Sequence, residues 1–249
     1  MYSFRNDYSE GAHPRVLQAL VDTNLTQTCG YGVDPICDEA RALIRTLCAA
    51  PDAAVHFLVG GTQTNLTVIT ALLASYEAVI AAHTGHVNCH ETGAIEATGH
   101  KVCTAYSPDG KVTPEMVESV LAIHADGEEH MVAPKLVYIS DTTEIGTVYT
   151  KAELTALRQC CDAHDLLLFL DGARLGSALT SPENDLTLSD LAALTDVFTI
   201  GGTKNGALFG EAVIMTVPCD HFRWHIKQRG GMLAKGRLLG VQFKALLTD

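Results

Sequence analysis

The chain carries no run of like charges, no CxxC pair, and no apolar stretch approaching the ~18 residues of a membrane helix. Each absence removes a class of protein. The net charge of −12 comes with both signs spread along the chain, which disfavours nucleic acid and anionic membrane surfaces as partners. Eight cysteines, at 29, 37, 48, 89, 103, 160, 161 and 219, lack the spacing of a metal finger, and the first residues do not resemble a signal segment. They are expected as reduced thiols in a cytoplasmic protein. No internal repeat, low-complexity segment or linker breaks the sequence. One domain over 1–249 is therefore expected: an N-terminal arm and helix (1–30), a sheet core (31–216) and C-terminal helices (217–249).

What is present is a series of short apolar runs separated by amphipathic segments. At 249 residues, 47% hydrophobic and 18% charged, the chain is long enough to bury a substantial core. Strands are expected at 54–59, 78–82, 101–105, 135–140, 166–170, 196–200 and 211–216. Helices are expected from Pro14, over 36–50, 66–74 and 88–98, and from an N-cap at Thr113. Further helices are expected over 151–164 and 186–194, and over 220–249 with breaks near Gly230-Gly231 and Gly236. Seven strands alternating with helices predict an α/β class with a mainly parallel sheet.

Two of the apolar runs end in chemistry. The run 166–170 leads into Asp171-Gly172-Ala173-Arg174, and 197–200 into Gly201-Gly202-Thr203-Lys204-Asn205-Gly206. Residues that leave neighbouring parallel strands converge at the carboxyl edge of the sheet, where open α/β folds bind ligands. An aspartate facing a ring nitrogen and a lysine able to form a Schiff base are what a pyridoxal phosphate (PLP) site needs. Lys204 follows a Gly-Gly-Thr turn rather than a charged helix face, and enclosure would help its amine shed the proton that blocks attack on an aldehyde. A solvated turn lysine and a helix-capping aspartate are the plainer alternatives. Arg174 could grip a substrate carboxylate with two hydrogen bonds or simply pair with a neighbouring acid at the surface.

Gly60-Gly61-Thr62-Gln63-Thr64-Asn65 stands between a strand and a helix, where main-chain N–H groups can approach an anion. An ordinary N-capped turn would look similar. His83, His86, Cys89, His90 and Glu91 could ligate zinc if they shared a helical face, but they follow a strand end, so no metal is expected. One imidazole lying flat on an aromatic cofactor suits that place better. His90 and His100 read as surface histidines.

Together these residues resemble the threonine aldolase family, within the beta-eliminating lyases of the aspartate aminotransferase-like fold (fold type I). The resemblance runs from Asn6-Asp7 through the helices after Lys204. It implies a three-layer αβα large domain with a mainly parallel seven-stranded sheet, holding PLP. Gly61-Thr62-Gln63-Thr64-Asn65 matches the family's phosphate turn, and His86, Glu91 and Gly93 match the segment whose histidine stacks on the pyridine ring. Leu170 to Leu175 matches the family's Leu-Asp-Gly-Ala-Arg-Leu, in which Asp171 would meet the ring nitrogen and Arg174 would stand among the cofactor residues and bind the substrate carboxylate. Lys204 would form the Schiff base, and Asn6 and Asp7 would lie near the substrate. His86 and Glu91 would arrange proton transfer.

Three departures from the pattern are visible. In Ser140-Asp141-Thr142-Thr143-Glu144, Thr143 stands where the family places a histidine near the substrate hydroxyl. Arg229-Gly230-Gly231-Met232-Leu233 replaces a Gly-Gly-Gly-Met-Arg segment whose arginine lies near the phosphate. Family chains continue into a small C-terminal domain, which this sequence is expected to lack. The implied activity is cleavage of threonine or allo-threonine to glycine and an aldehyde, in a homodimer or homotetramer. β-Elimination on the same cofactor, or an inactive PLP-binding module, are the alternatives.

Overall fold

The structure, a computed structural model, describes residues 3–248. Its seven strands are β1 (Ala54–Leu58), β2 (Glu77–Ala82), β3 (Val102–Ala105), β4 (Ala133–Ser140), β5 (Leu167–Asp171), β6 (Val197–Gly201) and β7 (Glu211–Met215). All seven stand where the apolar runs predict them. They form one sheet in the order β1-β7-β6-β5-β4-β2-β3. The pairs among β3, β2, β4, β5 and β6 are parallel, while β7 runs antiparallel between β6 and β1.

The α-helices among the described residues are α1 (Pro14–Asp22), α2 (Pro35–Leu47), α3 (Gly61–Leu72), α4 (His86–Cys89) and α5 (Pro114–Ala125), then α6 (Lys151–Ala163), α7 (Leu175–Leu179), α8 (Leu188–Leu194), α9 (Phe222–Gln228) and α10 (Arg237–Leu247). Their starts are set by local chemistry. Proline opens α1, α2 and α5, where its missing N–H costs no helical bond. Asp34 and Thr113 accept from the main-chain N–H groups of Cys37 and Met116, and Thr150 with Glu153 forms a capping box on α6.

Each central strand is apolar on both faces because helices cover both. Ala78, Ile80, Val137, Ile139, Leu168, Leu170, Phe198 and Ile214 pack with α2, α5, α6, α8 and α10. The alternate residues Val79, Ala81, Leu136, Tyr138, Phe169, Val197 and Val213 pack with Val68 and Ile69 of α3 and Phe222 and Ile226 of α9. The result is a three-layer αβα sandwich. No helix among the described residues is long and apolar enough to cross a membrane.

This alternation decides what faces the site. Tyr138 and Phe169 lie on the α3 side, so Ser140 and Asp171, two residues further on, point there as well. Register sets Ser140 against Asp171, and both Gly201 and Leu58 against Glu211. The ends of β4 and β5, with the start of β7, thus carry the polar side chains of Ser140, Asp171 and Glu211 along one edge of the α3 face.

The helix expected over 88–98 is not continuous. One turn ends at Cys89, Thr92 and Gly93 take positive φ of 55° and 70°, and a short 3-10 turn follows at Glu96–Thr98. The break lets Glu91 turn inward, where it is 5% exposed. Helix α3 starts at Gly61, five residues before the expected 66, and α7 was not anticipated.

Candidate active site

Asp171 ends β5 and is 5% exposed. Its Oδ2 accepts from Tyr138 Oη at 2.6 Å and from Asn65 Nδ2 at 2.9 Å, and its Oδ1 accepts from the Ala173 N–H at 2.9 Å. Burial holds the Tyr138 phenol well above its ordinary range, so its hydroxyl remains a donor. Three donors on one carboxylate suit the ionised, acceptor-only form.

The turn after β5 lies tightly against the turn after β6. A Cβ at Gly172 would come within 2.0 Å of the Thr199 carbonyl oxygen, and one at Gly201 within 2.5 Å of the Ala173 carbonyl oxygen. Only glycine permits this approach. The Gly172 N–H donates to Thr199 Oγ1 at 2.8 Å and the Gly201 N–H to the Gly172 carbonyl at 2.9 Å. Lys204, three residues past the end of β6, is thereby brought to the cavity that Asp171 borders.

That cavity, about 290 Å³, is lined by Gly61, Thr62, His86, Asp171, Arg174 and Lys204 of the expected set, and by Gly60. At its other end stands the N-terminus of α3. Gly60 offers no side-chain cap, and the first helical hydrogen bond runs from the Thr64 N–H to the Gly60 carbonyl. The N–H groups of Gly61, Thr62 and Gln63 accordingly have no acceptor among the described residues. A Cβ at Gly60 or Gly61 would meet nothing within 4 Å, so the space before the helix is open. The Gln63 side chain does not face the cavity. Its Nε2 donates to the Arg229 carbonyl at 3.0 Å and its Oε1 accepts from the Val59 N–H at 3.3 Å, bracing α3 against the 229–231 turn.

His86 Nδ1 lies 2.9 Å from Oε1 of the buried Glu91, which also accepts from Asn65 Nδ2 at 2.8 Å. The Glu91 bond raises the imidazole pKa, against the smaller effect of burial. Asn65 therefore ties Glu91, which holds His86, to Asp171. Asn65 lies in the phosphate-turn motif, but this bridging use was not foreseen.

Asn6 and Asp7 lie in the segment that closes the site from the other side. A second cavity of about 630 Å³ is bounded by residues 6–11 together with Thr203, Lys204 and Gly206. The Asn6 side chain accepts from the Tyr8 N–H and Ser9 Oγ, shaping the turn, while the His13 N–H anchors to the Gly206 carbonyl at 2.8 Å. The Tyr8 ring centroid lies 6.0 Å from Lys204 Nζ. Asp7 grips Arg174 with both oxygens, from Nε at 2.5 Å and Nη2 at 3.1 Å. That pair holds the Asp7 carboxyl below its ordinary range. One edge of the guanidinium is thus taken by Asp7, leaving Nη1 free of any partner among the described residues.

Two cavity-lining acids escaped sequence reasoning. Glu144 borders the cavity, whereas Thr143 beside it is 2% exposed, bonds to Thr147 Oγ1 at 2.6 Å and does not line the cavity. From this segment Ser140, Thr142 and Glu144 line the cavity, while Thr143, at the position where the family places a histidine, does not. Glu211, at the first residue of β7, is 3% exposed and its Oε2 has no partner. Burial pushes its carboxyl up to about 8. An acid at the edge of an otherwise apolar strand was the available signal, the same one that marks Asp171.

The proton on Glu211 has a measurable consequence. The folded chain retains it up to about pH 8, while the unfolded chain releases it near the ordinary value of 4.5. The Glu211 contribution to stability therefore falls as pH rises from about 4.5 and levels off above about 8, while buried His56, lowered to about 4, contributes with the opposite sign below about 6.5. Glu211→Gln, which carries no titrating proton, is expected to flatten this slope by on the order of a few kcal/mol across the window. Asp141, raised by burial to about 7, contributes with the same sign as Glu211 and is present in both proteins, so the difference between the two slopes isolates Glu211. Urea denaturation of both proteins at several pH values checks this; superimposable slopes would refute it.

The residues present fit PLP. Uncapped N–H groups at a helix N-terminus suit its phosphate, the carboxylate on the floor suits a protonated ring nitrogen, and a primary amine borders the same space. A three-layer fold with this site defines a PLP-dependent enzyme of fold type I. Within that class the chain belongs to the beta-eliminating lyase family, whose sequence model matches residues 5–244.

It is similar to the low specificity L-threonine aldolase of Pseudomonas sp. (strain NCIMB 10558), at 34% identity over 99% of this chain and 71% of that protein. The low specificity L-threonine aldolase of Pseudomonas aeruginosa is 32% identical over the same shares. The solved structure of Leishmania major threonine aldolase superposes with a TM-score of 0.97 at 56% identity, covering 100% of this chain and 73% of that one. A single mutant of Thermus thermophilus aspartate aminotransferase, 16% identical with a TM-score of 0.73 over 96% of this chain and 62% of that one, shares the fold.

Proposed function

We propose that the chain cleaves a β-hydroxy-α-amino acid, threonine or allo-threonine, to glycine and an aldehyde, with PLP as cofactor. The observation that carries this reading is the convergence of Lys204, Asp171, His86 and Arg174 on one cavity, in a chain similar to threonine aldolases. The described span acts as one PLP-binding large domain. It works in the cytoplasm, a reading supported by eight cysteines that are all unpaired. It assembles as a homodimer or homotetramer, supported by the exposed apolar side chains Phe4, Tyr8, Val21 and Leu25 on the N-terminal segment.

The N–H groups at the start of α3, with the Thr62 hydroxyl, would hold the phosphate. Asp171 would accept from the ring nitrogen, His86 would cover the ring, and Lys204 would supply the amine. Bound there, PLP supplies an electron sink for the electron pair of a bond broken at Cα. Arg174 clamps the substrate carboxylate through the guanidinium edge that Asp7 leaves free. Asp7 holds that fork in place before substrate arrives, lowering the cost of ordering it. The Tyr138 and Asn65 donors hold the Asp171 carboxylate in place, so that it would meet the protonated ring nitrogen without reorganisation.

The test is product analysis on purified protein with PLP. Threonine or allo-threonine is expected to yield glycine and acetaldehyde. Pyruvate and ammonia from serine, without glycine from threonine, would replace this reading with β-elimination.

A further inference from the structure

We infer that Glu144 is the catalytic base that takes the β-hydroxyl proton of the substrate, a step that rests on the cleavage proposed above. The geometry begins with what Thr143 does. Its hydroxyl is spent on Thr147, whose N–H donates to it at 3.1 Å and whose Oγ1 lies 2.6 Å away. A Cβ on Gly110 would press against the same side chain at 3.2 Å, so Thr143 is packed beneath the 109–111 turn rather than toward the cavity.

Glu144 is built differently. Its Oε1 accepts from Ser140 Oγ at 2.7 Å and from the His86 N–H at 2.9 Å. Two donors on one oxygen fix the carboxylate, and Oε2 accepts from no side chain or N–H among the described residues. A held carboxylate with one unused oxygen, on the wall of the reaction cavity, is what a general base requires. Arg174 borders the same cavity, and its guanidinium is stabilised by the Glu144 charge as well as by Asp7. A substrate whose carboxylate is held by Arg174 has its β-hydroxyl only a few bonds away, within reach of this wall.

His86 competes poorly for the role. Its Nδ1 is committed to Glu91, and that bond makes the ring hold its proton more tightly. Glu91 is buried behind it. Glu211 retains its proton at neutral pH and sits at the start of β7, against Leu58 and Gly201.

In the step itself the hydroxyl proton passes to Glu144 Oε2 and the O–H electron pair forms the aldehyde carbonyl. The Cα–Cβ bond breaks and its pair stays on Cα, which then takes up a proton to leave glycine. Glu144 returns its proton to solvent, and the balance is threonine to glycine plus acetaldehyde.

Glu144→Gln preserves the acceptor for Ser140 and His86 while removing the base. With PLP the variant is expected to develop the same visible absorbance band as wild type and to exchange the α-proton of glycine at the wild-type rate, since glycine has no β-hydroxyl. Its threonine cleavage is expected to fall by about 10²–10⁴-fold. Cleavage within about threefold of wild type, or exchange falling in parallel with cleavage, would overturn the assignment. Should E144Q lose the cofactor, Glu144→Asp carries the test. A carboxylate one methylene short is expected to cut cleavage at least about tenfold with exchange intact, and equal losses would again overturn it. A wild-type protein that binds PLP and exchanges glycine but cleaves no β-hydroxy amino acid would overturn the reaction itself, which distinguishes the two failures.

Discussion

Lys204→Ala protein mixed with PLP is expected to show no visible band of lysine-bound cofactor, and its cleavage activity to fall by at least roughly 10⁴-fold. The expectation rests on the absence of a substitute. Lys204 is the single lysine among the residues lining either cavity at the site, so no second amine can take its place. Arg174, which also borders the cavity, is held by Asp7 and has no nucleophilic nitrogen at working pH. The substitution is expected to leave folding almost untouched. Lys204 makes no ion pair and no side-chain hydrogen bond among the described residues, and its contact with the Tyr8 ring is long, at 6.0 Å. A melting temperature within about 2 °C of wild type, with the band gone, is the expected pair of results. A full band in the variant would remove Lys204 from the site and with it the basis of the proposed function.

The strands were the legible part of the fold. Short apolar runs bounded by glycine and polar residues have few other uses once helices cover both faces of a sheet, and all seven were found by that rule. The segment 88–98 was not legible, because its composition suits a helix while its site requires an inward Glu91. The left-handed Thr92 and Gly93 satisfy the second demand at the expense of the first. The start of α3 was missed for a related reason. Glycine and threonine are weak helix formers, yet Gly61 and Thr62 open the helix because bare N–H groups are useful at that position.

Side-chain pairing across the chain was legible least. Nothing local in Asp7 or Arg174, 167 residues apart, says that one occupies the fork of the other. The motif order placed both near the substrate without saying that they meet. Likewise Asn65 was visible as the end of a phosphate-turn motif, while its work is to join Glu91 to Asp171. Thr143 and Glu144 differ by one position, and a motif register one residue off selects the packed hydroxyl over the half-buried carboxylate on the cavity wall. In the turn after β4 the Thr143 side chain goes to Thr147 while Glu144 goes to Ser140 and the cavity wall, contacts that no local sequence pattern encodes.

Asp171→Asn is the second large effect, and it separates the electron-sink role from the proton-transfer role assigned to Glu144. The carboxylate accepts three hydrogen bonds, two on Oδ2 and one on Oδ1. An asparagine there must turn an NH₂ either toward Tyr138 and Asn65 or toward the Ala173 N–H, setting donor against donor. The buried mismatch is expected to cost about 1–3 kcal/mol of stability, read from urea unfolding. The chemical loss is larger. A neutral amide no longer favours a protonated ring nitrogen, so charge developing at Cα is less well drawn away, and cleavage is expected to fall by at least about 10²–10³-fold. Lys204 is untouched, so the cofactor is still bound covalently and its visible band is retained, though displaced. Glycine α-proton exchange supplies the discriminating readout. It requires the sink but no base for a hydroxyl, so it is expected to fall together with cleavage in Asp171→Asn and to survive in Glu144→Gln. Exchange that persists in Asp171→Asn would mean that the ring nitrogen is served by another group on this wall, and Glu211, the remaining proton-bearing acid there, would be the residue to replace next.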